Sequence, residues 1–65
     1  MFEVKFKDDD YQEEFENAGE VANYIYDRTV NWMLASGIHE DCKNAEPGTT
    51  IEVEYDDYSF IIQVK

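Results

Sequence analysis

This sequence predicts an α+β fold: a three-stranded antiparallel sheet in the order β-α-β-β, with one long helix packed on one face. Three observations predict it. The two ends of the chain alternate apolar and polar residues with the period of a strand. The middle carries apolar residues at helical spacing behind an N-cap signal. In the C-terminal arm, Asp56-Asp57 divides the alternation into halves whose apolar residues match across a turn.

The first strand covers 2–7. Phe2, Val4 and Phe6 point one way, and Glu3, Lys5 and Lys7 the other. Asp8-Asp9-Asp10 ends it, because aspartate favours turns and is costly to bury. Residues 11–16 (Tyr-Gln-Glu-Glu-Phe-Glu) fit either a loop or a first helical turn. Asn17 with Glu20 three residues on follows capping-box logic. Behind it, Ala18, Val21, Ala22, Ile25, Thr29, Trp32 and Met33 fall in one wide stripe, with Glu20, Asn23, Asp27 and Asn31 opposite. The expected helix spans about 18–36, stopped by Gly37. Leu34 and the edge of Val30 lie on its polar side, so something covers them or they mark an interface. Ile38, Cys42 and Ala45 have the spacing of a short second helical turn that folds back over Leu34.

Glu46-Pro47-Gly48-Thr49 reads as a type II turn. A two-residue loop at Asp56-Asp57 then pairs Tyr55 with Tyr58, Val53 with Phe60 and Ile51 with Ile62, all on one face. Asp-Asp is a poorer turn than Asn-Gly, which leaves a longer loop open. The last strand sits most easily in the middle, beside the first strand and its hairpin partner. The whole chain, 1–65, reads as a single domain.

A chain of 65 residues has a core that rarely supplies more than about 3–5 kcal/mol. That leaves little stability for a deep cleft of strained catalytic groups. Hydrophobic residues at 43% and aromatics at 15% argue for a folded core despite the charge. Sixteen acids face five bases, for a net charge of −11. Solubility of a small domain needs a net charge of only about 2–8, and the excess opposes folding through self-repulsion. Nucleic acid and anionic membranes are disfavoured as direct partners, being negative themselves. A basic protein surface is the natural complement. Cys42 is alone, so no internal disulfide forms, which suits a reducing cytosol. With no apolar span and no signal-peptide pattern, the expectation is a complete, cytoplasmic protein.

Catalytic and metal signals are weak. His39 and Cys42 stand near one side of a helical turn, but a metal site needs three or four ligands. A Cys–His nucleophile pair would lack an orienting third group and an oxyanion donor. The acids between Asp8 and Glu16 are too contiguous for a calcium loop, and the glycine of its sharp turn is missing. Paired carboxylates do acid–base work only in a cleft that separates their pKa values, and no such cleft is indicated. The five bases are too scattered to hold a phosphate substrate. The expectation is a protein that is not an enzyme and carries neither cofactor nor metal.

The acids themselves are the candidate working part: Asp8, Asp9, Asp10, Glu13, Glu14, Glu16, Glu20, Asp27, Glu52, Glu54, Asp56 and Asp57. Glu52 and Glu54 stand on the sheet face away from the helix, Asp56 and Asp57 carry the charge around the turn, and Glu20 and Asp27 continue it along the exposed helix face. Such rows approximate the charge track of duplex DNA, about one negative charge per 1.7 Å of axis. Arginine grips carboxylates and phosphates alike. Tyr11, Tyr24, Tyr26 and Ile61 are candidate anchors within such an interface.

In its overall acidity, its Asp8–Glu16 run and its Glu52–Asp57 hairpin tip, the chain resembles the small acidic phage inhibitors of the DNA-mimic type, the anti-CRISPR and anti-restriction proteins. These share charge rather than a motif, so no functional residue carries over by position. The resemblance implies an inhibitor in the host cytoplasm that blocks the basic groove of a DNA- or RNA-binding defence protein, such as a CRISPR effector or restriction enzyme. The alternative is a generic small interaction module, an antitoxin, immunity-like protein or assembly subunit, whose acids mainly keep it soluble.

Overall fold

A computed structural model describes residues 1–7, 12–55 and 57–65. They form β1 (Phe2–Phe6), β2 (Gln12–Phe15), α1 (Ala18–Thr29), α2 (Trp32–Asn44), β3 (Thr50–Tyr55) and β4 (Tyr58–Val64). The strands make one antiparallel sheet in the order β2-β1-β4-β3. The class is α+β, but the expected β-α-β-β arrangement of three strands and one long helix is corrected to β-β-α-α-β-β.

The C-terminal hairpin has the register its alternation implies: Tyr55 pairs with Tyr58, Val53 with Phe60 and Ile51 with Ile62. On its other side β4 pairs with β1, placing Val4 opposite Ile62 and Phe6 opposite Phe60. β4 is therefore central, and Phe60, Ile62 and Val64 are buried between the apolar residues of both neighbours. The turn into β3 is type II. Gly48 takes φ 96°, and the Thr49 N–H donates to the Glu46 carbonyl at 3.1 Å.

The fourth strand, β2, lies where a loop or helical turn was expected. Gln-Glu-Glu-Phe has weak strand propensity and a single apolar residue. Pairing with β1 overrides this, setting Phe15 opposite Phe2 and Glu13 opposite Val4. Phe15 then packs against the core. A short, charged edge strand also discourages pairing with other chains.

The second correction concerns the helix. Asn17 caps α1 as its spacing with Glu20 implies: its side chain accepts the Glu20 N–H at 2.9 Å and donates to the Glu20 carboxylate at 3.0 Å. The helix does not run to 36. Val30 turns into the left-handed region (φ 51°, ψ 34°), and its N–H closes α1 on the Tyr26 carbonyl at 2.7 Å. Asn31 then caps α2 by accepting the Leu34 N–H at 3.0 Å. Thr29 and Val30 are β-branched and weak helix formers. The Thr29 hydroxyl donates to the Ile25 carbonyl at 2.9 Å and accepts from the Asn31 N–H at 3.4 Å, which ties the corner together.

The restart shifts the phase of the apolar stripe. Ala35, Ile38 and Cys42 are buried, and Leu34, expected on the polar side, packs half-buried against the core. Trp32 and Met33, expected inside, are 72% and 83% exposed. The expected turn over 38–45 is the second half of α2. Gly37 lies within that helix and does not stop it. Both helices cover one face of the sheet: α1 lies over β1 and β2, and α2 borders β3.

Candidate protein-binding surface

The two sides of the molecule differ in charge. The sheet face turned away from the helices carries Glu3, Glu14, Glu52 and Glu54 together with Lys5, Lys7 and Lys65. Three of the chain's five bases are thus on this one face. The Lys7 ammonium lies 3.8 Å from Glu52 and 3.9 Å from Glu54. Lys65 donates to Glu3 at 2.8 Å, and that carboxylate raises the lysine's pKa above its ordinary value. Exposed pairs of this kind contribute little to stability, but together the three lysines nearly neutralise the face.

Among the described residues, the helical side carries the larger excess of acids. Glu20, Asp27, Glu40 and Asp41 are exposed on α1 and α2, with Glu16 and Glu46 exposed beside the helix ends. Arg28 and Lys43 are the bases here. The Arg28 guanidinium lies over the aromatic column, its Cζ 4.6 Å from the Tyr24 ring centre and 5.3 Å from that of Phe6. Phe15, Tyr24, Phe6 and Phe60 form this column, with centroids 5.1–6.0 Å apart. Arg28 thus covers the edge of the core by a cation–π contact.

At the α1–α2 corner the exposed residues are apolar. Val30 is 73% exposed and sits beside Trp32 and Met33. Trp32 meets Tyr26 edge-on, with centroids 6.3 Å apart and planes at 82°. These two rings wall a groove of about 450 Å³ on the solvent side of the helical pair, floored by Gly19, Ala22, Ala35 and Ser36, with Asn23 and His39 at its sides. Around the corner Met33 borders a second groove against the β3 edge, where Asp41, Glu52 and Glu54 gather. An exposed cluster of Trp, Tyr and Met is the composition of a binding anchor, since these residues lose much apolar area to water when left uncovered.

The acids singled out in the sequence divide between these regions. Glu14, Glu52 and Glu54 are on the open sheet face, with Glu3 paired opposite Glu14. Glu20 and Asp27 are on the opposite side, on α1, so these two groups do not form one continuous row. Glu13 shares the helix-facing side of β2 with Val4 and is half-buried. Glu16 is exposed just past β2, and Asp57 at the hairpin tip. Asp8, Asp9, Asp10, Tyr11 and Asp56 lie outside the described residues. Of the candidate anchors, Tyr26 is exposed, Tyr24 is held in the aromatic column, and Ile61 is half-buried on the open sheet face.

The stripe argument placed Trp32 and Met33 inside, and flagged only the edge of Val30, with Leu34, as something covered or part of an interface. The signal that finds them is Asn31, read as a second N-cap instead of one more polar-face residue. His39 and Cys42 point to different sides of α2, the first into the open groove and the second into the core. Burial, reinforced by Asp41, pushes the Cys42 thiol up to about 11. It is therefore not a nucleophile at neutral pH. Among the described residues no group of three or more His, Cys, Asp or Glu side chains is placed to hold a metal ion, and no helix is long and apolar enough to cross a membrane. No family model, curated protein or solved structure matches the chain.

Proposed function

We propose that this chain is a non-enzymatic binding protein that docks on a basic protein surface of the kind that otherwise holds nucleic acid, and so blocks it. The observation that carries this reading is the uneven distribution of the bases over a chain whose acids lie on both sides. Lys5, Lys7 and Lys65 are gathered on the open sheet face, while the helical side combines exposed acids with an uncovered Trp-Tyr-Met corner. A field of one sign speeds encounter with a basic partner. A desolvated aromatic anchor then supplies affinity that charge alone does not. The DNA- or RNA-binding groove of a defence protein, as in a CRISPR effector or restriction enzyme, fits this complement of positive charge and is the partner class we favour. The acids of the sheet face, held by lysines, play the smaller part.

The test is competition. A protein retained by the immobilised chain at low salt is purified and titrated with the chain in the presence of duplex DNA or RNA at constant ionic strength. The reading expects nucleic acid and the chain to exclude each other and added salt to weaken the complex. Independent, simultaneous binding of both overturns it.

A further inference from the structure

We infer that the groove between α1 and α2 is a receptor for an arginine side chain of the partner, stacked on Trp32. This rests on the reading of the chain as a binder of basic proteins and gives that surface a specific occupant.

The groove is open to solvent, and its wall is two aromatic rings set edge to face, Trp32 and Tyr26. The floor is small: a glycine, two alanines and a serine leave room for a long side chain to lie between the helices. Asn23 and Ser36 supply oxygen acceptors within it. A guanidinium presents five donors and no acceptor, stacks on an aromatic face, and sheds water more readily than an ammonium. Trp is the best ring for that contact. The same chain already uses the chemistry internally, with Arg28 lying on Tyr24 and Phe6.

The charge of the molecule favours a cation. The groove lining itself holds no carboxylate and no lysine, but among the described residues the helical layer exposes Glu20, Asp27, Glu40 and Asp41 against Arg28 and Lys43. The whole chain carries −11, which attracts a cationic side chain and opposes a second copy of the chain as the occupant. An apolar partner without positive charge would cover Trp32 but gain nothing from that field.

The experiment uses the single tryptophan as its own reporter. The full chain is titrated at low salt with capped hexa-arginine, and separately with capped hexalysine, following Trp32 emission and, in parallel, the heat of binding. The expected result is a saturable change in emission with hexa-arginine and weaker binding of hexalysine. Trp32→Ala, followed by calorimetry, is expected to weaken hexa-arginine by about tenfold, in line with a partly desolvated cation–π contact. The double variant Glu52→Lys/Glu54→Lys on the open sheet face is expected to weaken it by less than about threefold. Because Trp32 is exposed, an unchanged melting temperature of Trp32→Ala shows that the loss is not one of folding. Hexa-arginine that binds with heat but leaves Trp32 emission unmoved, or binds Trp32→Ala as well as the parent, overturns the groove while the basic-partner reading stands. Equal affinity for hexalysine overturns the guanidinium assignment. A concentration-dependent dimer that buries Trp32 without peptide gives the groove to a second copy. Absence of any cationic-peptide binding at low salt removes both this inference and the reading on which it rests.

Discussion

The open sheet face and the helical corner are built from the same chain with opposite logic. On the sheet face the charges are mixed, lysines hold carboxylates, and Ile61, the one large apolar residue there among the described residues, is half-buried among them. At the corner, Val30, Trp32 and Met33 stand in water, and the acids of the helical layer have Arg28 and Lys43 as the bases of that layer, the former already laid on aromatic rings. The first arrangement satisfies itself. Among the described residues, the second leaves apolar area in water beside more acids than bases, and the proposed binding surface rests on that contrast. Net charge alone therefore locates nothing. Its location relative to the lysines does.

This contrast is open to attack by mutation, beginning with the core that supports both regions. Phe60→Ala removes a fully buried ring from the central strand, at a cost of about 3–5 kcal/mol. For a domain of this size that is the whole stability, and circular dichroism should show an unfolded chain at 25 °C. Next in size is an effect of pH. Cys42 in the fold titrates near 11, against about 9 when unfolded. Between these values the unfolded chain has lost a proton that the folded chain keeps, so stability falls as pH rises from about 9 to 11, by roughly 2–3 kcal/mol in all. Chemical denaturation across that window should show the slope, and Cys42→Ala should reduce it, leaving the part that Lys65, also raised in the fold, contributes at the alkaline end. A parallel slope in that variant contradicts the burial of the thiol.

Smaller effects belong to the helical corner. Val30 is a β-branched residue held at φ 51°, a conformation that asparagine adopts at lower cost than valine. Val30→Asn should raise stability by about 1 kcal/mol, read as a shift in denaturation midpoint. Destabilisation instead would mean that α1 and α2 run on as one helix. Gly37 is helical, with nothing within 4 Å of the place where a Cβ would go. Gly37→Ala should add about 0.5–1 kcal/mol. The least effect is expected from Trp32→Ala, within about 0.5 kcal/mol of the parent, because that ring is exposed. A large loss there would make the corner part of the core and not a docking surface.

The sheet was legible because alternation and pairing agree with each other. Ile51, Val53 and Tyr55 match Ile62, Phe60 and Tyr58 in only one register, and β4 is the strand apolar enough to lie in the middle. Pro47-Gly48 named its turn because only glycine takes φ 96° at that position without strain. β2 was illegible for the converse reason: Gln12-Glu13-Glu14 carries no alternation, and its strand character comes from β1 beside it. The helical corner misled because a stripe drawn through 18–36 assumes one unbroken phase. A two-residue break at Val30-Asn31 moves Leu34 inward and Trp32 and Met33 outward, and with them the candidate site. Composition alone gave the net charge and the expectation of a basic partner. Which surface, among the described residues, carries the larger excess of acids depended on strand faces and on the company of three lysines, which composition does not contain.

The central claim is that recognition belongs to the helical side and not to the open sheet face. Backbone amide shifts of the labelled chain, recorded while capped hexa-arginine is added at low salt, test it most directly. The account predicts that the largest shifts cluster at Gly19, Asn23, Tyr26, Trp32, Ser36 and His39. Shifts centred on Glu3, Glu52, Glu54 and Ile61, with those groove residues unmoved, would contradict it.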